Sequence, residues 1–197
     1  MQLEAKNISF RYDNGPWLFK DLNLTVNRGE IVGLTGVSGR GKTTLCRILA
    51  GLENPLEGKV LVNEQTISKR EYHPVQLIFQ HPEKAVNPKW KMKKTLYEGW
   101  NVDEKYLNLL GIEHQWLNRW PNELSGGELQ RFCILRALGP KTQFLIADEM
   151  TTMLDAVTQA QIWDAILKVV KERNMGLLIV SHNPELIEKL CHRVIEL

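Results

Sequence analysis

Apolar and polar positions alternate at the start of the chain and then change period, and the change predicts its elements. The stretches "LEAKNISF" (residues 3–10) and "DLNLTV" (21–26) alternate with period two, as half-buried strands do. "IVGLTG" (31–36) is a short continuous apolar run of the kind that lies inside a covered sheet. It leads through glycines into "KTTLCRILAGL", where Leu45, Ile48, Leu49 and Leu52 recur at helical spacing and Gly51 is a helix stop. "GKVLVN" and "PVQLIFQ" predict two more strands, and residues 87–138 turn rich in Trp, Lys and Leu at helical period, a helical insertion. The strand code returns with "FLIADE" (144–149), a helix over 155–172, the strand "LLIVS" (177–181), a helix over 184–190 and a final "RVIEL". Strands alternating with helices predict an α/β fold with a largely parallel sheet covered on both faces.

Composition narrows the function classes. The chain has 197 residues, 43% of them hydrophobic, enough to bury the core of one domain or of a core plus a small insertion. Its 25 Lys and Arg against 23 Asp and Glu leave a net charge of +2, so no overall field points to nucleic acid. The apolar runs fall far below the roughly 20 residues that cross a bilayer. The first ten residues lack a signal-peptide pattern, and the expectation is a soluble cytoplasmic chain. Cys46, Cys133 and Cys191 are odd in number and widely spaced, which suits a reducing compartment and small buried side chains rather than a disulfide framework. The five histidines show no metal-binding spacing.

Between a predicted buried strand and a helix N-terminus, "GVSGRGKT" (36–43) fits the phosphate-loop pattern G-x-x-x-x-G-K-S/T. Gly36, Val37, Ser38, Gly39, Arg40 and Gly41 form a loop whose N–H groups face inward on an anion, and the helix dipole adds positive potential. Lys42 reaches the β and γ phosphates, Thr43 places its hydroxyl on Mg²⁺, and Thr44 donates near the α phosphate. Asp148 and Glu149 end an apolar strand, where paired carboxylates are costly unless a cation or a reaction uses them. Asp148 is the candidate for holding Mg²⁺ through water, and Glu149 for orienting the attacking water. A second anion site is readable in "LSGGE" (124–128): Ser125 caps a helix and Gly126 and Gly127 leave its first turn bare. The plain alternative there is an ordinary capped helix.

The order of these motifs, phosphate loop, "LSGGE", "FLIADE" and then "SH" at 181–182, resembles the ATP-binding-cassette family, the nucleotide-binding subunits of ABC transporters, over essentially the whole chain. The resemblance implies a P-loop NTPase (RecA-like) core over residues 1–80 and 140–197 with an antiparallel β subdomain, and a helical subdomain over 81–139 carrying the signature. It implies ATP and Mg²⁺ as ligands. It also implies that Ser125, Gly126, Gly127 and Glu128 close on the γ phosphate of ATP held by a second subunit facing head to tail. Tyr12 then corresponds to the aromatic that stacks on adenine, Gln80 to the glutamine that contacts Mg²⁺ and the attacking water, Asp155 to the aspartate at the dimer seam, and His182 to the switch histidine at the γ phosphate. For Tyr12, packing of a strand-end ring on the core stands as the alternative.

Within that family, "VQLIFQHPEKAVNPKW", "LSGGELQR" and "DAVTQAQIW" are similar to the peptide, nickel and metal-chelate importer branch. The expected partners are a second cassette subunit, a different chain first and a copy otherwise, transmembrane permease subunits, and through them a substrate-binding protein, with no nucleic acid. The expected place is peripheral, on the cytoplasmic side of the membrane. His81, Met150 and Asn183 depart from the usual residues beside Gln80, Glu149 and His182, and the chain stops at Leu197 where branch members continue into a hairpin. A truncated or a minimal subunit would both give that ending. The other classes considered are a soluble cassette acting on DNA or ribosomes and an exporter cassette. "KWKMKK" (89–94) reads as a solvated helix face, or as a contact to anionic lipid or the membrane subunit.

Overall fold

The computed structural model describes residues 1–67 and 72–197. In chain order the strands and helices are β1 (Gln2–Phe10), β2 (Phe19–Asn27), β3 (Ile31–Thr35), α1 (Lys42–Leu49), β4 (Glu57–Val62), β5 (Gln65–Thr66), β6 (Val75–Ile78), α2 (Met92–Tyr97), α3 (Glu104–Leu109), α4 (Gly126–Ala137), β7 (Phe144–Asp148), α5 (Ala156–Glu172), β8 (Gly176–Val180), α6 (Pro184–Leu190) and β9 (Arg193–Glu196). They fall into two compact units. The first holds Met1–Leu77, Lys141–Asp148 and Asn174–Leu197, and the second holds Ile78–Pro140 and Glu149–Arg173.

The first unit carries the sheets. One is a four-stranded sheet in the order β2-β1-β4-β5, and the other runs β6-β7-β8-β3-β9. β1 pairs antiparallel with β2 and β4, whereas β3 pairs parallel with β8 and β9, and β7 pairs parallel with β8. Every residue of β7 and β8 is buried, which is why both read as unbroken apolar runs rather than alternating ones. The core joins Leu3, Ile8 and Val26 of the antiparallel strands to Leu34, Leu45, Leu49 and Phe144. Residue β-register shifts in β1 between Ala5 and Ile8, where Asn7 has φ 51°. Gly58 faces this irregularity: a Cβ there would lie 2.3 Å from the Asn7 carbonyl oxygen.

The second unit is helical but more broken than the hydrophobic period predicts. Residues 87–138 give only α2, α3 and α4, and short 3-10 turns occupy Pro82–Lys84, His114–Asn118 and Pro121–Glu123. Prolines open two of those turns, and Gly111, at φ 61°, stops the chain just after α3. α5 is the regular exception, with Ile162, Trp163, Ala165, Ile166, Val169 and Val170 buried on its inner face. Trp116 and Trp163 are buried, whereas Trp120 is 40% exposed.

Three predicted strands end early. β3 stops at Thr35, β6 at Ile78 and β7 at Asp148, so Gly36, Gln80 and Glu149 stand just past strand ends. For β3 and β7, each paired parallel with β8, these are the carboxyl ends, where ligands bind in α/β folds.

Candidate functional site

In the first unit, β3 delivers the chain into a loop that only glycine builds without strain. Gly36, Gly39 and Gly41 have φ of 142°, 82° and 95°. At Gly36 a side chain would also meet the Leu197 carbonyl oxygen at 2.8 Å, and Gly41 is the left-handed N-cap of α1. Lys42 is 6% exposed, and its Nζ donates to the carbonyl oxygens of Gly36 (2.8 Å) and Val37 (3.1 Å), so the ammonium is folded onto the loop. Val37, Ser38, Arg40 and Thr43 are exposed. Thr44 is buried, with its Oγ1 at 3.1 Å from the Tyr12 hydroxyl. The Tyr12 ring is 53% exposed and stands edge-on to Phe10, so it is not a core side chain.

Asp148 closes β7 at 4% exposure. Burial and, secondarily, the Asp148 charge raise the Cys46 thiol well above its ordinary range, so the carboxylate acts on α1, the helix that Lys42 begins. His182 is exposed in the turn after β8. Its neighbour Asn183 accepts from the Leu186 N–H at 3.2 Å and caps α6, which explains an amide at that position. The phosphate loop thus follows β3, Asp148 ends β7 and His182 follows β8, three neighbouring strands that pair parallel.

Of the residues expected to hold Mg²⁺, the exposed Thr43 hydroxyl and the buried Asp148 carboxylate lie in this unit, and the described residues hold no group of three or more His, Cys, Asp or Glu arranged for a metal. Such a sparse, hard donor set fits Mg²⁺, which keeps water and phosphate oxygens as most of its ligands.

In the second unit, Glu149 adopts φ 49°, a left-handed conformation that L-residues resist by roughly 1 kcal/mol. Gln80 Nε2 donates to Glu149 Oε2 and to Thr152 Oγ1, each at 3.3 Å, so two candidates separated by 69 positions meet. Gln130 of α4 is 1% exposed and donates from Nε2 to the Phe79 carbonyl at 3.0 Å, which holds the backbone beside Gln80.

The signature opens α4 with a capping box: the Glu128 N–H donates to Ser125 Oγ (3.3 Å) and the Ser125 N–H to Glu128 Oε2 (2.7 Å). Asp155 caps α5, accepting from the N–H groups of Val157 and Thr158 and from the Thr158 hydroxyl at 2.6 Å. The Thr158 contacts lead in holding its carboxyl below the usual range. Ser125, Gly127, Glu128, Arg131 and Asp155 line one cavity of about 320 Å³. Arg131 crosses to the Leu110 carbonyl (2.6 Å) and Gln161 (2.9 Å). Burial lowers its pKa, while Asp155 and Glu128 favour its charge.

The sequence reading missed Gln130, Arg131 and Thr152. Gln130 carried a faint signal, a long polar side chain just before the fully apolar "FCIL" of α4. Nothing in "MTTML" distinguishes Thr152 from Thr151.

Comparison with known proteins gives a consistent result. The family model described as ABC transporter matches residues 19–152. The nickel import system ATP-binding protein NikE of Staphylococcus aureus (strain bovine RF122 / ET3-1) is 32% identical over 209 residues, covering 99% of this chain and 86% of that protein. A solved ATP-binding subunit of an ABC transporter superposes with a TM-score of 0.87 at 22% identity, over 100% of this chain and 86% of its own. The dimeric ATP-binding cassette MJ0796, solved in a post-hydrolysis state with ADP and Pi, superposes with a TM-score of 0.84 at 26% identity, over 99% and 94%.

Proposed function

The chain belongs to the ABC transporter family, and from that premise we propose that it energises a membrane importer of peptides, nickel or metal chelates by ATP-driven closure of two cassette subunits. The observation that carries this reading is a pair of helix N-termini suited to phosphate: α1 behind its glycine loop in one unit, and α4 behind Ser125 in the other. A second phosphate-suited helix N-terminus in one chain is accounted for if it serves the nucleotide of another molecule.

In this reading the loop of residues 36–41 and Lys42 bind the ATP phosphates, and Tyr12 stacks on the base. Mg²⁺, held by Thr43 and Asp148 with Gln80 at hand, supplies charge neutralisation on the phosphate oxygens when bound. Thr44 donates near the α phosphate. Glu149 orients the attacking water, with Gln80 and His182 directing it to the γ phosphorus. Ser125, Gly126, Gly127, Glu128 and Asp155 belong to the site of the second cassette, whose nucleotide they enclose, and enclosure excludes solvent. The helical part of the chain, residues 81–139, is the subdomain that carries this signature.

The partner is a different cassette chain in the first instance, with permease subunits above it and a substrate-binding protein beyond them. The proposed place is peripheral, on the cytoplasmic face of the membrane, and among the described residues no helix is long and apolar enough to cross a membrane.

The test is uptake by the reconstituted transporter. Labelled nickel or oligopeptide is expected to enter proteoliposomes with ATP, and Glu149→Gln in this chain is expected to keep ATP binding while turnover falls by about a hundredfold or more. Export of label instead of import overturns the importer assignment. Near wild-type turnover in the variant overturns the role of Glu149.

A further inference from the structure

We propose that Thr152 is a positioning residue for ATP hydrolysis, whose hydroxyl fixes which end of the Gln80 carboxamide faces Glu149. The inference rests on the reading of Gln80 and Glu149 given above.

A hydroxyl has one proton to give and lone pairs to receive. Thr152 Oγ1 donates its proton to the Glu149 carbonyl oxygen at 3.0 Å, and the Thr152 N–H converges on that oxygen at 3.3 Å. With its proton committed, the hydroxyl can only accept toward Gln80. Gln80 must then present its amide hydrogens, and Nε2 forks between Thr152 Oγ1 and Glu149 Oε2 at 3.3 Å each. The opposite orientation would set the amide oxygen against the Glu149 carboxylate and against hydroxyl lone pairs. The consequence is functional: Gln80 keeps Oε1, its acceptor end, for a water proton or a cation, while its donor end restrains the base.

Thr152 suits this task because a β-branched side chain is restricted at χ1. It is also exposed, so its replacement removes the hydrogen bonds without opening the core.

The experiment measures ATPase kinetics of the assembled transporter. Thr152→Val is expected to lower kcat about five- to tenfold, the worth of one to two hydrogen bonds, with KM for ATP within about twofold. Thr152→Ser, which keeps the hydroxyl, is expected to recover most of the loss. In a Gln80→Ala background, Thr152→Val is expected to cost less than about twofold, because residues that act through one another are non-additive. An unchanged kcat for Thr152→Val, or a loss that adds in full to that of Gln80→Ala, overturns the proposal. Glu149→Gln separates the two readings. Its loss of turnover beside an unimpaired Thr152→Val overturns the Thr152 assignment alone, and its retention of turnover overturns the Glu149 reading and this one with it.

Discussion

Single residues show how closely binding chemistry and fold stability are joined here. Glu30, in the turn between β2 and β3, receives Arg193 Nε at 2.6 Å and the N–H and side-chain amide of Asn27 at 2.8 and 3.0 Å. Burial alone would raise its pKa, but these hydrogen bonds outweigh burial and hold the carboxyl below its ordinary 4.5. The folded pKa is depressed, so the stabilisation is complete above the unfolded value and is lost as pH falls through the folded one. Glu30→Gln is therefore expected to cost about 1–2 kcal/mol in urea denaturation at neutral pH, and the gap to wild type should narrow as pH falls below the ordinary carboxylate value and through the lowered one. An equal gap at both pH values would mean that shape rather than charge is involved. The consequence reaches the phosphate loop, since Arg193 begins β9, which pairs with β3 and is followed by Leu197, whose carbonyl oxygen lies against Gly36. At this scale the glycines were legible because only glycine tolerates their φ values. Glu149 in a left-handed conformation was not, because no residue type in "ADEMT" announces it.

Elements show a different division between what the fold requires and what function requires. In the loop before α1 the glycines have positive φ, so the backbone itself demands them. In α4 it does not. Gly126 is absent from the positive-φ set and a Cβ there meets nothing within 4 Å, while at Gly127 it would make ordinary contact with Leu154 and Thr158 at 3.5 and 3.6 Å. A glycine opening a helix lowers stability relative to alanine by up to about 0.5–1 kcal/mol, so its presence where nothing steric needs it points to a surface kept bare. Gly126→Ala is expected to leave the fold as stable as wild type or slightly more so by thermal denaturation, yet to reduce turnover of the two-cassette complex more than about tenfold. Full activity in that variant would return α4 to an ordinary capped helix. The period of apolar residues located α1, α5 and the buried strands well, because continuous or amphipathic runs follow directly from burial. It overestimated the helix content of 87–138, since Pro121 and Gly111 interrupt a pattern that hydrophobicity alone carries through. The two-residue β5 is too short to have a period.

For the whole molecule, the sequence order of motifs carried more than any element did, because the signature and the strand-end carboxylates, each open to a plain reading alone, become specific beside the phosphate loop. What the order does not display is which nucleotide each motif serves, and the structure sharpens that question. The first unit holds the loop, Asp148 and His182, and the signature with Asp155 lines a cavity of the second. If the signature acts on a second cassette's nucleotide, its damage must be silent in the isolated chain. Ser125→Arg puts a bulky cation at the first turn of α4, in the cavity that Glu128 and Arg131 also line. ATP affinity of the purified variant, by titration calorimetry, is expected to match wild type within about twofold, while hydrolysis by the two-cassette complex is lost at the partner's site. The same logic predicts that turnover per wild-type chain rises with chain concentration when copies complete one another, and stays absent until a different cassette is added when they do not. A Ser125→Arg chain that no longer binds ATP by itself would place the signature on its own nucleotide, and closure of two cassettes would then have no chemical basis in this sequence.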